Sequence, residues 1–375
     1  MKRILFLAAM LSLAAGCNRN KSDSGLDVPA PVLDLASSCE QVSDLSDYIA
    51  DVRIVRLAAE PVIYSGSGKI LTYDGKFIMQ SDSFVEYNSD GSFSKTIGRV
   101  GRGPGEFVAV TDFCVDDGAG HLVCLTPDNK VLRYSLADGS LVKELPTVLR
   151  MNTDAIFPLD NGSFAIFCSE PAQETDALPG KVKIFDSDGN MTGEVLPATE
   201  VCIPMGFRSV SAQSCDNSYT LSFAAVPSTA YDVSGGTITP LVDIDFGSRN
   251  LPADYFGDGG DVWGKIGELF ENDYFKCPSV CHTEDLYYVS PYGKDSSVWN
   301  FISDGKKGIY WQSSSSDTQA PLSFCAADDG YFYFAYTEYG LEQTQDPLKK
   351  YLIDECGLVL GENENIAIVG VKFRL

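Results

Sequence analysis

Apolar residues along this chain fall in short alternating runs, and each run is entered through a polar or Gly turn. Period-two alternation marks a strand with one face buried, and turn residues between two such runs make a hairpin. One recurring unit reads turn, then strand. Its copies are Asp74-Gly75-Lys76-Phe77-Ile78-Met79, Gly120-His121-Leu122-Val123-Cys124 and Asn161-Gly162-Ser163-Phe164-Ala165-Ile166-Phe167. It continues at Asn217-Ser218-Tyr219, Glu284-Asp285-Leu286-Tyr287 and Asp329-Gly330-Tyr331-Phe332. A second unit follows each of these: an aromatic, a short polar run, Gly, then an apolar residue. The copies are Tyr87 to Gly91, Tyr134 to Gly139, Phe185 to Gly189, Tyr231 to Gly235, Phe301 to Gly305 and, in a weaker form, Tyr351 to Gly357. Each Asp-Gly step supplies the positive φ that a tight hairpin turn needs.

The aromatics of the second unit lie 47, 51, 46, 70 and 50 residues apart. Two hairpins per repeat make four strands, and four-stranded units at this period are propeller blades. Six copies predict an all-β fold, a six-bladed β-propeller of four-stranded antiparallel blades. Strand-like runs also stand at both ends, Asp51-Val52-Arg53-Ile54-Val55-Arg56-Leu57 and Ile366 to Leu375. These are expected to share one blade and close the ring, which removes exposed edges. The longest gap holds an insertion near 246–277, where Trp263, Ile266 and Phe270 fit one face of a short helix.

The amino terminus departs from this pattern. Met1-Lys2-Arg3 is basic, Ile4–Leu13 is apolar apart from Ser12, and Leu13-Ala14-Ala15-Gly16-Cys17 follows. At 1.5 Å per residue the apolar part spans about 20 Å, short of the roughly 30 Å of a bilayer core, and reads as a secretory signal. The Leu-Ala-Ala-Gly-Cys stretch resembles a bacterial lipobox, which implies cleavage before Cys17 and lipidation of that residue. The expected organisation is a signal peptide over 1–16, a lipidated Cys and tether over 17–46, and the propeller over 47–375. No further long apolar run exists.

The best-preserved repeat is Gly98-Arg99-Val100-Gly101-Arg102-Gly103-Pro104-Gly105-Glu106-Phe107, continued through Asp112-Phe113-Cys114-Val115-Asp116 and Asn129 to Tyr134. It resembles an NHL-type repeat. With the lipobox and the Val371-Lys372-Phe373-Arg374-Leu375 ending, the chain resembles lipidated six-bladed β-propeller proteins of certain Gram-negative bacteria. Thr126-Pro127 stands where NHL repeats place Ala-Asp. The resemblance implies a fold and a compartment more than a reaction.

Composition narrows the partners. The 375 residues carry 28 Lys+Arg against 52 Asp+Glu, a net charge of −24, which speaks against nucleic acid. Only two histidines are present, and no Gly-x-Ser-x-Gly elbow or phosphate-binding Gly-Lys-Ser/Thr appears. Asp186-x-Asp188-Gly189 begins like a calcium loop, but Pro197 stands where the closing Glu would be. No cofactor is predicted. Calcium in the central channel stands as an alternative, implied by resemblance to some six-bladed hydrolases of similar architecture that use it, with no ligands assigned. Cys277 to His282 is read as buried thiols or a disulfide rather than a metal site, and Cys114 with Cys124 as a cross-hairpin disulfide candidate.

Arg99 and Arg102 are read mainly as part of an inter-blade turn, and secondarily as a ligand-binding pair for an anionic group. Tyr255 and Trp263, in the insertion, are the choices for an aromatic binding face, with the alternative that they glue the helix to the ring. The reading is a monomeric binding or scaffold propeller with one ring face for a protein or a glycan. Its expected place is the bacterial envelope, at the outer membrane through Cys17, with the periplasmic side ahead of the cell surface. The alternative is a hydrolase or lyase with a metal-assisted site in the channel.

Overall fold

The structure is a computed structural model. It describes residues 29–63, 69–146, 152–169, 180–199, 210–215, 218–223, 229–252, 255, 262–294, 297–315, 326–361 and 364–375. The expected signal peptide and Cys17 lie outside the described residues.

The chain folds as an all-β, propeller-like array of up-and-down antiparallel sheets. Three sheets have four strands each and take them in chain order. They run from Leu71–Tyr73 to Phe93–Ile97, from Asp112–Asp116 to Leu141–Pro146, and from Asn152–Pro158 to Met191–Thr199. A six-stranded sheet is built on Lys276–His282, Tyr287–Tyr292, Val298–Ser303 and Gly308–Ser315. A nine-stranded sheet joins the run Val210–Cys215 to Thr237–Asp245 with the run Ala326–Asp328, Tyr331–Tyr336, Ala367–Phe373 and Ile49–Arg56. The junction is one parallel pairing, Cys215 with Ala327. The ladders therefore fall into five sheets and not into the six separate blades that the repeat count predicts.

The two ends of the domain do pair. Ala367–Phe373 lies antiparallel to Ile49–Arg56 on one side and to Tyr331–Tyr336 on the other. The part of the chain expected to end the tether is ordered. Val32–Asp34 runs parallel to Thr237–Asp245, and Cys39–Gln41 runs parallel to Gly308–Ser315, so each covers an outer sheet edge.

Side-chain burial explains why the alternation is incomplete. Asp112–Asp116 and Phe84–Tyr87 are buried at every position, because each sheet is sandwiched between neighbours. The outermost strand Phe93–Ile97 is exposed or half-buried at all positions but the last. The largest apolar cluster spans the first three sheets and takes in Tyr219, Leu221, Tyr231 and Val233 of the next. Others fill the remaining seams.

The repeated turns take two forms. Asp74-Gly75, Asn161-Gly162, Gly235-Gly236 and Asp329-Gly330 have positive φ at both residues, as a two-residue type I′ turn demands. After Asp90, Asp138, Asp188 and Asp304 only the Gly is left-handed. Asp90 and Asp138 each accept the N–H two residues on, at 2.9 and 3.1 Å. The ladders beside the turns that follow Tyr87, Tyr134 and Phe185 each shift by a bulge at that aromatic. Those three aromatics are buried.

The sixth copy of this unit is not a hairpin. Tyr351 lies in a helix, Pro347–Asp354, capped at its start by the Asp346 carboxylate. Gly357 has φ 66° and ends that helix, with the Leu358 N–H bonded to the Leu352 carbonyl. The same Gly that reads as a turn is a helix terminator.

Candidate functional site

A cleft of about 530 Å³ opens where the turns of the inner hairpins converge. The side chains come from Tyr73 and Asp74, Asp116 and Asp117, Asp160, Ser214 and Ser218, Ser234 and Asp328. Most arrive at the end of an innermost strand or on the turn after it, while Ser218 starts a second strand and Ser234 ends a third, so hairpin ends of several units share one mouth. Asp74 is at once a left-handed turn residue and part of the wall. Five carboxylates line the cleft and no Lys or Arg does, among the described residues. Carboxylates accept only, whereas the hydroxyls of Thr72, Ser214, Ser218 and Ser234 both donate and accept. The lining thus favours hydroxyl, amide or cationic groups and repels anions.

Asp116 is buried, and burial pushes its carboxyl above the usual range, against the opposing pull of the Ala119 N–H and of Arg133. Arg133 is itself buried, donates to the Gly162 carbonyl and lies over the Phe164 ring, 5.5 Å from its centre. The Tyr73 phenol is raised by burial first and then by the Asp117 and Asp74 carboxylates. The floor is closed by Tyr219, whose hydroxyl accepts from the Val115 N–H at 2.7 Å and so ties one innermost strand to a hairpin of another sheet.

Behind the cleft, Asp232 lies between Ser218 and His282. His282 Nε2 is 3.7 Å from the Asp232 carboxylate, an ion-pair distance, and Ser218 bonds the same carboxylate. Burial opposes a charge on the ring, but Asp232 and the neighbouring Cys215 sulfur and Thr283 carbonyl outweigh it, and His282 rises to about 9. The order is serine, carboxylate, imidazole. A catalytic triad needs the imidazole in the middle to take the serine proton, so this arrangement does not activate Ser218. Among the described residues, no group of three or more His, Cys, Asp or Glu converges closely enough to hold a metal ion.

The residues singled out from the sequence lie elsewhere. Arg99 is exposed and pairs with Glu106 at 3.4 Å, and Arg102 is exposed. Their loop is a latch onto the second sheet. Gly105 donates its N–H to Glu144 at 2.8 Å and accepts from the Tyr134 hydroxyl, while Phe107 is buried against Phe84. Tyr255 donates to the Lys265 carbonyl and meets Tyr274 edge to face, which fastens the helix Val262–Glu271. Trp263 belongs to that helix, and its side chain lies outside the described residues. None of Arg99, Arg102 and Tyr255 lines the cleft.

His121 is half-buried at the start of a strand, opposite Asp116. Cys114 faces Val123 and Cys124 faces Phe113, so the two sulfurs point to opposite sides of the sheet and the cross-hairpin disulfide is excluded. Asp186 accepts from the Asp188 and Asn190 N–H groups, as a turn residue does. The cleft acids were visible in the sequence only as turn formers, because nothing local says that separate turns meet.

Fold and cleft together define a β-propeller-like protein with an acidic mouth at the inner hairpin turns. The chain belongs to the family described as a domain of unknown function, DUF4934, whose profile matches residues 30–372. It is similar to a crystal structure described as that of an exported protein from Bacteroides fragilis, at 16% identity, covering 92% of this chain and 100% of that one with a TM-score of 0.69. It is also similar to a DUF4221 family member from Bacteroides vulgatus, at 11% identity, with 87% and 97% coverage and a TM-score of 0.51. No curated protein matches the chain. The NHL-type likeness has no counterpart in these comparisons.

Proposed function

We propose that this protein is a binding propeller of the bacterial envelope whose acidic cleft takes a neutral or amino-bearing glycan. The observation that carries the reading is the lining itself: five carboxylates and four aliphatic hydroxyls, with no Lys or Arg among the described residues. Carboxylate pairs accept hydrogen bonds from vicinal sugar hydroxyls, and Tyr73 offers a ring beside them. The envelope setting is supported by the signal-like residues 1–16 with Cys17, and by the likeness to a protein described as exported. We read the array as six blades by cutting the nine-stranded sheet at its single Cys215–Ala327 pairing. No helix among the described residues is long and apolar enough to cross a membrane, so attachment in this reading falls to a lipid on Cys17.

The test is titration calorimetry of the full chain against neutral, amino and uronic-acid oligosaccharides, repeated on Asp160→Asn. Neutral or amino sugars should bind, and the substitution should weaken them about tenfold, the scale of one charge-assisted hydrogen bond. Binding of uronic acids alone, or of no sugar at all, refutes the reading. For the anchor, Cys17→Ala should release the protein from the membrane fraction.

A further inference from the structure

Two cysteines on neighbouring sheets face each other. Cys215 ends the innermost strand Val210–Cys215, and Cys281 lies in the innermost strand Lys276–His282 of the next sheet. Both side chains are fully buried, and their sulfurs are 2.9 Å apart. That separation is shorter than ordinary contact between two thiols, and about 0.9 Å longer than the 2.05 Å of a bond. The surroundings suit a sulfur without its proton. Cys215 Sγ receives the Thr220 hydroxyl at 3.2 Å and the His282 N–H at 3.4 Å. Burial, with each sulfur beside the other, pushes the Cys215 thiol well above its ordinary value.

We infer that Cys215 and Cys281 form a native disulfide that covalently joins the two sheets. The seam they cross is the one where Val32–Asp34 and Cys39–Gln41 dock on the outer edges of the same two sheets, so the bond locks the inner side of a junction whose outer side is already strapped. The oxidising compartment comes from the envelope reading above; the pairing itself comes from the geometry. The oxidant is the disulfide of a thiol–disulfide exchange protein. One cysteine thiolate attacks that disulfide, giving a mixed disulfide and releasing one thiol. The second cysteine thiolate then attacks the mixed disulfide, forming the Cys215–Cys281 bond and releasing the second thiol. Two protons and two electrons leave this chain, and the oxidant becomes a dithiol. Because both sulfurs are buried in the folded state, the exchange takes place before the seam closes, and reductant reaches the bond only when the seam opens.

The experiment uses the full chain exported to an oxidising compartment. The protein is alkylated under denaturing conditions without reductant, digested, and analysed by mass spectrometry. The expected result is a cross-linked peptide pair containing Cys215 and Cys281, which separates on reduction with a gain of about 2 Da in total. A matching sample treated with reductant while unfolded, then refolded, should melt at least about 5 °C lower. Cys281→Ser should remove both the cross-link and the reductant sensitivity. Should that variant fail to fold, the wild-type peptide map alone decides. Full alkylation of both cysteines, or linkage of either to a different cysteine, overturns the proposal. A map with the cross-link present but the melting temperature unmoved by reduction overturns its role in holding the seam.

Discussion

Replacing Asp112 with Asn tests how the array is held at its centre. Lys69 Nζ is 2.9 Å from Asp112 Oδ1, with side-chain exposures of 2% and 4%. The other carboxylate oxygen accepts the Ile156 N–H at 3.0 Å, from the innermost strand of the third sheet. The pair therefore links the start of the first sheet, the edge of the second and the third. Removing one partner of a buried pair leaves the other charge without compensation, at a cost of about 3–5 kcal/mol. Asn can still accept from Ile156, so Asp112→Asn is expected near the lower end, about 3–4 kcal/mol. Asp112→Ala also orphans that N–H and should lose a further 1–3 kcal/mol or so. Lys69→Met with Asp112→Asn removes both charges and keeps an acceptor for the Ile156 N–H, and should be less destabilised than Asp112→Asn alone by about 2 kcal/mol. Urea unfolding followed by Trp fluorescence reads these differences. With a slope of about 3 kcal/mol per M, Asp112→Asn should lower the midpoint by roughly 1 M without changing the slope. A loss below about 1 kcal/mol in Asp112→Asn would mean water screens the pair. A double variant worse than both single ones would mean the pair is net stabilising. Either result refutes the reasoning.

Three further outcomes are expected. Deleting residues 366–375 removes the strand that pairs with both Tyr331–Tyr336 and Ile49–Arg56, and with it the buried Ile368, Val369, Val371 and Phe373. The loss exceeds the 5–15 kcal/mol of a typical domain, so soluble expression should collapse; an unchanged melting temperature would disprove the closure. Gly91→Ala would set a Cβ 2.1 Å from the Arg56 carbonyl oxygen at φ +83°, whereas Gly75→Ala at φ +69° meets nothing within 4 Å. The first should cost about 3 kcal/mol or more and the second about 1, and equal melting temperatures would contradict this. His282 rises from 6.5 to about 9 on folding, so its contribution is complete below pH 6.5 and disappears as pH climbs past 9. Wild type should lose up to about 3 kcal/mol across that window relative to His282→Gln with both cysteines reduced, and less once Cys215 is in a disulfide, and parallel pH–stability curves would count against the Asp232 pairing.

The parts of the fold that local chemistry dictates were readable from the chain. Asp74-Gly75, Asn161-Gly162 and Asp329-Gly330 are turns because few other residues adopt left-handed backbone cheaply, and that constraint is local. The pairing of Asp51–Leu57 with the C-terminal run followed from the need to hide two edges. What failed depends on neighbours. Gly357 follows an aromatic and a polar run as the true turns do, yet Asp346 and Pro347 start a helix before it, and its Gly ends that helix. Cys114 and Cys124 flank one turn, but a register offset of one residue sends them to opposite faces. Arg99 drew notice as a cation on an acidic chain, though Glu106, close by in sequence, engages it. The cleft was hidden because its carboxylates come from hairpins far apart in sequence, each fully explained by its own turn. Cys215 and Cys281 are 66 residues apart, and only the packing of two sheets brings them together.

The strand Ile49–Arg56 is made about 310 residues before its partner Ala367–Phe373. At about 5–20 residues per second, the first strand waits for tens of seconds with its edge unsatisfied. The array therefore cannot close until Ala367–Phe373 has been made. Completion waits on that one strand and not on the order of the repeats.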